Sequence, residues 1–377
     1  MVPFNRIHIA LGSNQGDRLH YLQRAVDLVH ATIGAVVAIA KIYETPAWGF
    51  EGAAFLNTCI TVKSTYTTPV VLEKLLTIEN VIGRIRTTSD QYEGRVIDLD
   101  IVFSSEGSFA TKDLIVPHPL MQERKFVLLP LTDIAAMTIH PKLHCTVQEL
   151  LQKVSDDSEI TVADMVLRNP KVHYNFSSLH YMAIEGVIGS GKTTLAGMLA
   201  EEFNGGTLLE RFADNPFLPK FYKKPKRYAF PLELSFLADR YQQLNDAVAQ
   251  LDLFKDFVIS DYHVFKSSIF AQITLPEEEY RLYKKIFDIM YRDIAKPDSY
   301  VYLYQSIPQL LENIKNRGRD YEQNISVEYL EKIHKGYMDF IKSHPELPVK
   351  IIDITNRDFV ANREDYIWVL EQLNPDI

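Results

Sequence analysis

Apolar and polar residues alternate from Arg6 to Leu11 and then give way to the turn cluster Gly12-Ser13-Asn14, which predicts a short strand and its end. From Asp17 to His30 the spacing becomes helical, with Leu19, Leu22, Val26 and Val29 on one face. Val36 to Tyr43 and Phe55 to Ser64 read as strands, Val70 to Ile82 as a helix, and Val96 to Phe103 as a buried strand. Further along, the apolar run Tyr181-Met182-Ala183-Ile184 precedes a glycine-rich stretch and the helix formers Thr194 to Ala200. Two more helical patterns run from Ile307 to Asn316 and from Val327 to Ile341. Polar breakers lie between the halves: Ser155 to Glu159, Arg168-Asn169-Pro170-Lys171, and Asn175 to Ser178. The expected organisation is a first domain over 1–154, a linker with one short element over 155–178, and a second domain over 179–377. No internal repeat is evident.

The first half mixes strands and helices at hairpin-like spacing, which predicts an α+β sandwich of the ferredoxin-like kind. At 377 residues the chain is about two domains long, enough for a core in each. A net charge of −9 argues against a nucleic-acid partner, which needs a broad basic face, and leaves small anionic ligands possible. Cys59 and Cys145 are the two cysteines, so a disulfide framework is not expected and a reduced, cytoplasmic setting fits. No apolar run approaches the roughly 20 residues that span a bilayer, and the start lacks a signal-peptide pattern. A soluble, unexported protein with no membrane partner is expected.

The sharpest motif is Gly186 to Thr193, Gly-Val-Ile-Gly-Ser-Gly-Lys-Thr, placed between a strand and a helix. Glycines at such a turn let backbone N–H groups converge on phosphate oxygens. Gly186, Gly189, Gly191 and Thr194 would form the cradle, with Lys192 on the outer phosphates and the Thr193 hydroxyl on Mg²⁺. A glycine turn that binds nothing is the bland alternative, and the strand-to-helix context argues against it.

In the first half the chemistry concentrates in Arg95-Val96-Ile97-Asp98-Leu99-Asp100-Ile101. On a strand Asp98 and Asp100 project from one face while Ile97, Leu99 and Ile101 enter the core. Two adjacent carboxylates repel unless a cation lies between them, and hard oxygen donors favour Mg²⁺. Taken alone such a pair is more often a solvated strand face. Arg84, Arg86, Arg95 and Arg124 shift that balance, because guanidinium groups match a triphosphate in charge and bidentate geometry.

Over roughly residues 5 to 153 the chain resembles the 6-hydroxymethyl-7,8-dihydropterin pyrophosphokinases. The resemblance lies in Leu11-Gly12-Ser13-Asn14, Tyr43-Glu44-Thr45-Pro46, Phe55-Leu56-Asn57, Gly83-Arg84-Ile85-Arg86, Arg95 with Asp98-Leu99-Asp100, and Val116-Pro117-His118 followed by Arg124 and Phe126. It implies transfer of the β,γ-diphosphate of ATP to a pterin hydroxymethyl group. Asp98 and Asp100 would hold two Mg²⁺, and Thr45, Pro46 and Asn57 would line the pterin pocket with Phe55 and Phe126 on the ring. Glu79, Arg86 and His118 would hold ATP, and Arg84, Arg95 and Arg124 would act on the transferring group. Gln91-Tyr92-Glu93-Gly94 departs from the basic residue, Trp and Gly-Pro usual there.

From about His180 onward the chain resembles the deoxynucleoside kinases. The resemblance lies in Ile184-Glu185-Gly186 to Thr193, Glu210, Asn215-Pro216 to Tyr222, Pro231 to Arg240, and Arg317-Gly318-Arg319 with Glu322. It implies an α/β phosphate-loop kinase domain with a parallel sheet, in which Glu210 activates a deoxynucleoside 5′-hydroxyl. Tyr222 and Glu322 would hold the 3′-hydroxyl, Arg317 and Arg319 would form a lid, and Asp261 and Glu233 would face the substrate. The family commonly has an acidic residue, Arg and Ser after its third strand. Here Ser260 is followed by Asp261-Tyr262-His263, leaving open what replaces that Arg, with Lys266 one candidate. Glu233 stands where many relatives use Gln. An ionised Glu only accepts hydrogen bonds and suits the N1–H and N2–H₂ of guanine, which biases the expectation toward deoxyguanosine.

The combined expectation is a bifunctional Mg-ATP-dependent transferase, homodimeric through its second half by analogy. The alternatives are that one half is a degenerate binding module, or that the chain is a nucleotide switch without a small-molecule acceptor.

Overall fold

The computed structural model describes residues 4–84, 94–211, 215–249, 255–292, 294–323 and 325–375. The chain divides into two compact units, Met1–His173 and Tyr174–Ile377.

The first unit contains β1 (Asn5–Ser13), α1 (Arg18–Thr32), β2 (Ala35–Ile39), β3 (Tyr43–Thr45), β4 (Phe55–Ser64), α2 (Thr68–Ile82) and β5 (Asp98–Ser104). A small ladder of β6 (Phe109–Ala110) and β7 (Ile115–Val116) follows, then α3 (Lys125–Ala135), α4 (Val147–Lys153) and β8 (Thr161–Val162). The main sheet is antiparallel in the order β5-β1-β4-β3-β8, with β2 also on β4. Placing the first and third long strands at the centre, with α1 and α2 as crossovers, gives the expected ferredoxin-like arrangement. Alternation divides the side chains between two cores. Ile7, Ile9 and Leu11 face α1 and α2, whereas Cys59, Val102 and Phe103 join Leu128, Leu131 and Leu150 on the side of α3 and α4.

Local chemistry sets the element ends. Asp17 caps α1 by accepting from the His20 N–H, and Thr146 with Glu149 forms a reciprocal capping box on α4. Two sequence expectations need correction. The strand expected over Val36 to Tyr43 is broken at Ala40–Ile42, so that β2 and β3 each pair separately with β4. The stretch expected as a linker is largely absorbed by the two units. β8 pairs with β3, Asn169 Nδ2 donates to the Val36 carbonyl, and Tyr174 and Phe176 are buried in the second unit's core. Its apolar residues Ala163, Leu167, Tyr174 and Phe176 supply the contacts that the polar breakers concealed.

The second unit runs β9 (Tyr181–Gly186), α5 (Lys192–Glu202), β10 (Gly206–Leu208), α6 (Leu218–Lys223), α7 (Pro225–Ala249), β11 (Val258–Ser260), α8 (Phe265–Thr274) and α9 (Glu277–Tyr291). It continues with β12 (Ser299–Tyr304), α10 (Ile307–Arg317), α11 (Val327–Ser343), β13 (Val349–Asp353) and α12 (Arg363–Leu373). The sheet is fully parallel in the order β10-β11-β9-β12-β13. Both faces are covered, so both parities of each central strand are apolar. Tyr181, Ala183, Tyr300 and Tyr302 pack toward α7, α8 and α11, while Met182, Ile184, Val301 and Leu303 pack toward α5 and α12. Such a sheet presents its ligand crevice at the carboxyl ends of the strands beside β9, where the order reverses. Among the described residues no helix is long and apolar enough to cross a membrane.

Candidate active sites

In the first unit Asp98 and Asp100 lie opposite Gly12 and Ala10 of β1, on the sheet face away from α1 and α2. A cavity of about 250 Å³ opens on that face. Thr45, Pro46, Phe55, Asn57, Arg95, Asp98, Asp100, His118, Arg124 and Phe126 all line it, so ten sequence-derived residues converge. Asn57 Nδ2 donates to Thr45 Oγ1 at 2.8 Å, which fixes the amide across β3 and β4. At the other end, Arg84 and Arg95 donate to the two oxygens of Asp98 at 2.5 and 2.6 Å. Arg84 also donates to Glu79, a fully buried carboxylate that accepts from the Leu99 N–H at 2.8 Å. Glu79 thus bridges α2, Arg84 and the acidic strand.

Asn14 holds the approach to that strand. Its Oδ1 accepts from the Arg95 N–H at 2.6 Å while its own N–H donates to the Arg95 carbonyl at 3.0 Å. Burial, followed by the charge of Asp98, pushes the Asp100 carboxyl up to about 7 against the pull of Arg124 and Arg95. Burial and the neighbouring Arg124 push His118 down to about 4, so it is neutral at pH 7. Arg124 lies over the rings of Trp48 and Phe126, 4.9 and 5.7 Å from their centroids. Trp48 and Phe50 complete the aromatic lining and were not singled out from the sequence, although two aromatic residues at alternate positions directly after Thr45-Pro46 were the available signal. Arg86 and the departing residues Gln91 to Glu93 lie outside the described residues.

In the second unit Gly186, Gly189 and Gly191 all stand at positive φ, and a Cβ on Gly189 would come within 2.9 Å of the Leu310 carbonyl. The loop therefore requires glycine where the sequence has it. Gly189, Gly191, Lys192, Thr193 and Thr194 border an open cavity of about 860 Å³ that continues to Arg317, Arg319 and the stretch Ile354 to Val360. Beside it is a narrower cavity of about 110 Å³, lined by Lys192, Thr193, Glu210, Tyr222, Glu233, Asp261, Arg317, Arg319 and Glu322 among others.

Glu210 follows β10 by two residues and carries a cation on each oxygen. Arg240 donates to Oε1 through Nε at 3.0 Å and also through Nη2, and Lys266 donates to Oε2 at 2.6 Å. Burial alone would raise this carboxyl, but Lys266 and Arg240 outweigh it and hold Glu210 well below the usual carboxylate range. Enclosing two buried cations around a half-buried carboxylate rarely repays its desolvation when apolar packing could fill the same volume, so such a cluster points to chemistry. Arg240 was missed as a site residue, yet it follows Glu233 by seven positions, two turns along the same face of α7.

Asp261 joins both ends of this site. Its Oδ2 accepts from the Thr193 hydroxyl, and its Oδ1 accepts from the Glu210 N–H at 2.8 Å. Arg317 and Arg319 both donate to Glu322, the second at 3.2 Å. Glu233 is buried, accepts from the Thr274 hydroxyl at 3.0 Å, and is pushed up to about 7 by burial against the pull of Arg240. Burial, then Lys266, pushes Lys192 down to about 8.

The deoxynucleoside kinase family matches residues 182–376, and the 7,8-dihydro-6-hydroxymethylpterin-pyrophosphokinase family matches residues 8–136. The chain is 42% identical to a deoxyguanosine kinase of Bacillus subtilis (strain 168) over 190 residues, 49% of this chain and 92% of the relative. It is 43% identical to a 2-amino-4-hydroxy-6-hydroxymethyldihydropteridine pyrophosphokinase of the same organism over 132 residues, 34% of this chain and 78% of the relative. The chain belongs to both families. A deoxyadenosine kinase of Dictyostelium discoideum is 34% identical over 185 residues, 48% of this chain and 74% of the relative. Pyrophosphokinase and deoxynucleoside kinase domains are thus joined in one ATP-using transferase.

Proposed function

We propose that the pyrophosphokinase domain transfers the β,γ-diphosphate of ATP to 6-hydroxymethyl-7,8-dihydropterin, and that the deoxynucleoside kinase domain phosphorylates the 5′-hydroxyl of a purine deoxynucleoside. The observation that carries this reading is that each domain joins an anion-handling cluster to a cavity suited to a flat ring. In the first, the pterin ring fits between Phe55, Phe126 and the Asn57–Thr45 pair, with its hydroxymethyl group toward Asp98 and Arg95. The alcohol oxygen attacks the β-phosphorus and AMP leaves. In the second, the alcohol attacks the γ-phosphorus and ADP leaves. In both, alignment and charge neutralisation by arginine and lysine carry most of the catalysis.

Mg²⁺ fits the donor sets: hard carboxylate oxygens from alternate positions of β5 in one domain, and the Thr193 hydroxyl beside the Asp261 carboxylate in the other. Bound there, it would neutralise phosphate charge. Tyr222 and Glu322 would hold the 3′-hydroxyl and Glu233 would read the base, and all three line the narrow cavity. We favour deoxyguanosine over deoxyadenosine, because an ionised Glu233 offers only acceptors. A homodimer through the second domain and a cytoplasmic location complete the reading.

The test supplies Mg-ATP with either acceptor and separates AMP from ADP. Asp98→Asn should lose pterin-dependent AMP and keep nucleoside-dependent ADP, while Lys192→Ala does the reverse. A variant that loses neither product, or both, would overturn the assignment of separate sites. An unchanged ratio of deoxyguanosine to deoxyadenosine kcat/KM in Glu233→Gln would remove the base-reading role.

A further inference from the structure

The two cations on Glu210 are held in different ways. Arg240 grips Oε1 with two nitrogens and is anchored behind by Nη1 on Ser267 Oγ. Lys266, near the start of α8, reaches Oε2 with one hydrogen bond at the end of a four-carbon stem, and its ammonium lies 5.8 Å from the Phe270 ring centroid. The proton-accepting oxygen must therefore be Oε2, since Oε1 is occupied by a fork that cannot leave without dismantling Arg240. Lys266 also lines the narrow cavity together with Lys192, Thr193, Arg317 and Arg319, the groups that the kinase reading assigns to the phosphates. Its charge is felt at Lys192, which places it within electrostatic reach of the phosphate loop. Tyr262 occupies the position after Asp261 and cannot take this role. It is fully buried, and its hydroxyl donates to Gln243 Oε1 at 2.7 Å.

We propose that Lys266 is a catalytic residue of the kinase domain, a role resting on the kinase reading of this site: it occupies Glu210 Oε2 until the acceptor enters, then moves to the transferring phosphoryl group. The 5′-hydroxyl proton passes to Oε2. The bond from O5′ to the γ-phosphorus forms, the bond from that phosphorus to the β,γ-bridging oxygen breaks, and its electron pair leaves on ADP. The ammonium offsets charge on the γ-oxygens during transfer. Departure of Lys266 leaves Oε2 open to the alcohol proton when the acceptor is in place.

The experiment uses the full chain with Mg-ATP and deoxyguanosine, comparing the parent with Lys266→Met and Lys266→Arg. The Met variant should lose about 10²–10³-fold in kcat, the usual loss for one transition-state donor. Both KM values should stay within about 3-fold, since the lost contact is made only during transfer. The Arg variant should recover at least about 10-fold of kcat, and deoxynucleoside binding by calorimetry should persist in both. Full kcat in Lys266→Met, a loss confined to KM, lost deoxynucleoside binding, or an Arg variant no better than Met would overturn the role alone. Absence of ADP formation by the parent with any deoxynucleoside would overturn the kinase reading and this role together.

Discussion

The two domains handle the same donor with opposite arrangements of charge. In the pyrophosphokinase domain the anions sit side by side on β5, and the cations, Arg84, Arg95 and Arg124, reach them from other segments. In the kinase domain one carboxylate, Glu210, lies between two buried cations carried by α7 and α8. A pair of neighbouring carboxylates is built to receive a cation from outside, which here would arrive with the nucleotide. Asp98 too carries a cation on each oxygen, so what sets the first site apart is the second carboxylate, Asp100, on the same face of β5.

The largest expected effect separates those designs. Glu210→Gln should lower nucleoside-dependent kcat by about 10²–10⁴-fold, the range for removing a general base, with pterin-dependent AMP formation unchanged. If Glu210 only neutralised Arg240 and Lys266, the loss would fall in thermal stability instead, so calorimetry on the same sample distinguishes the two. A smaller effect tests the bridge in the other domain. Glu79→Gln leaves Arg84 without its buried anion and should cost about 1–3 kcal/mol of stability, as for a buried polar group losing its partner. Pterin-dependent kcat should fall with it, whereas unchanged melting and kcat would show that Arg84 is held by Asp98 alone.

The smallest effect is a pH dependence. Because the Glu233 carboxyl is pushed up to about 7, it is mostly protonated at pH 6 and mostly ionised at pH 8. A protonated carboxyl offers one donor and one acceptor, as Gln does, and an ionised one offers acceptors only. The ratio of deoxyguanosine to deoxyadenosine kcat/KM should therefore rise severalfold from pH 6 to pH 8, by the free energy of one hydrogen bond. Competition assays with both nucleosides present read this ratio directly, and a flat ratio would separate base choice from the charge of Glu233.

Much of this site chemistry was legible in the sequence because it is local. The glycine loop, the Asp98-Leu99-Asp100 alternation and the Arg317-Gly318-Arg319 turn each declare their geometry within a few residues. What was hidden was pairing at a distance. Arg240 reaches Glu210 across 30 positions, and no periodicity links residues on separate elements, whereas Lys266, 56 positions away, was a candidate only through the family resemblance. The break between β2 and β3 was likewise invisible, since Ala40 and Ile42 are as apolar as a continuous strand would be and both are buried. The linker expectation overweighted Asn, Ser and Pro in a stretch whose fewer apolar residues decide where the backbone lies.

Asp261 leaves a final consequence. The Thr193 hydroxyl after the glycine loop and the backbone N–H of Glu210 are clasped by the two oxygens of one side chain. A single side chain thus ties the first turn of α5 to the segment after β10, and its loss would release both at once.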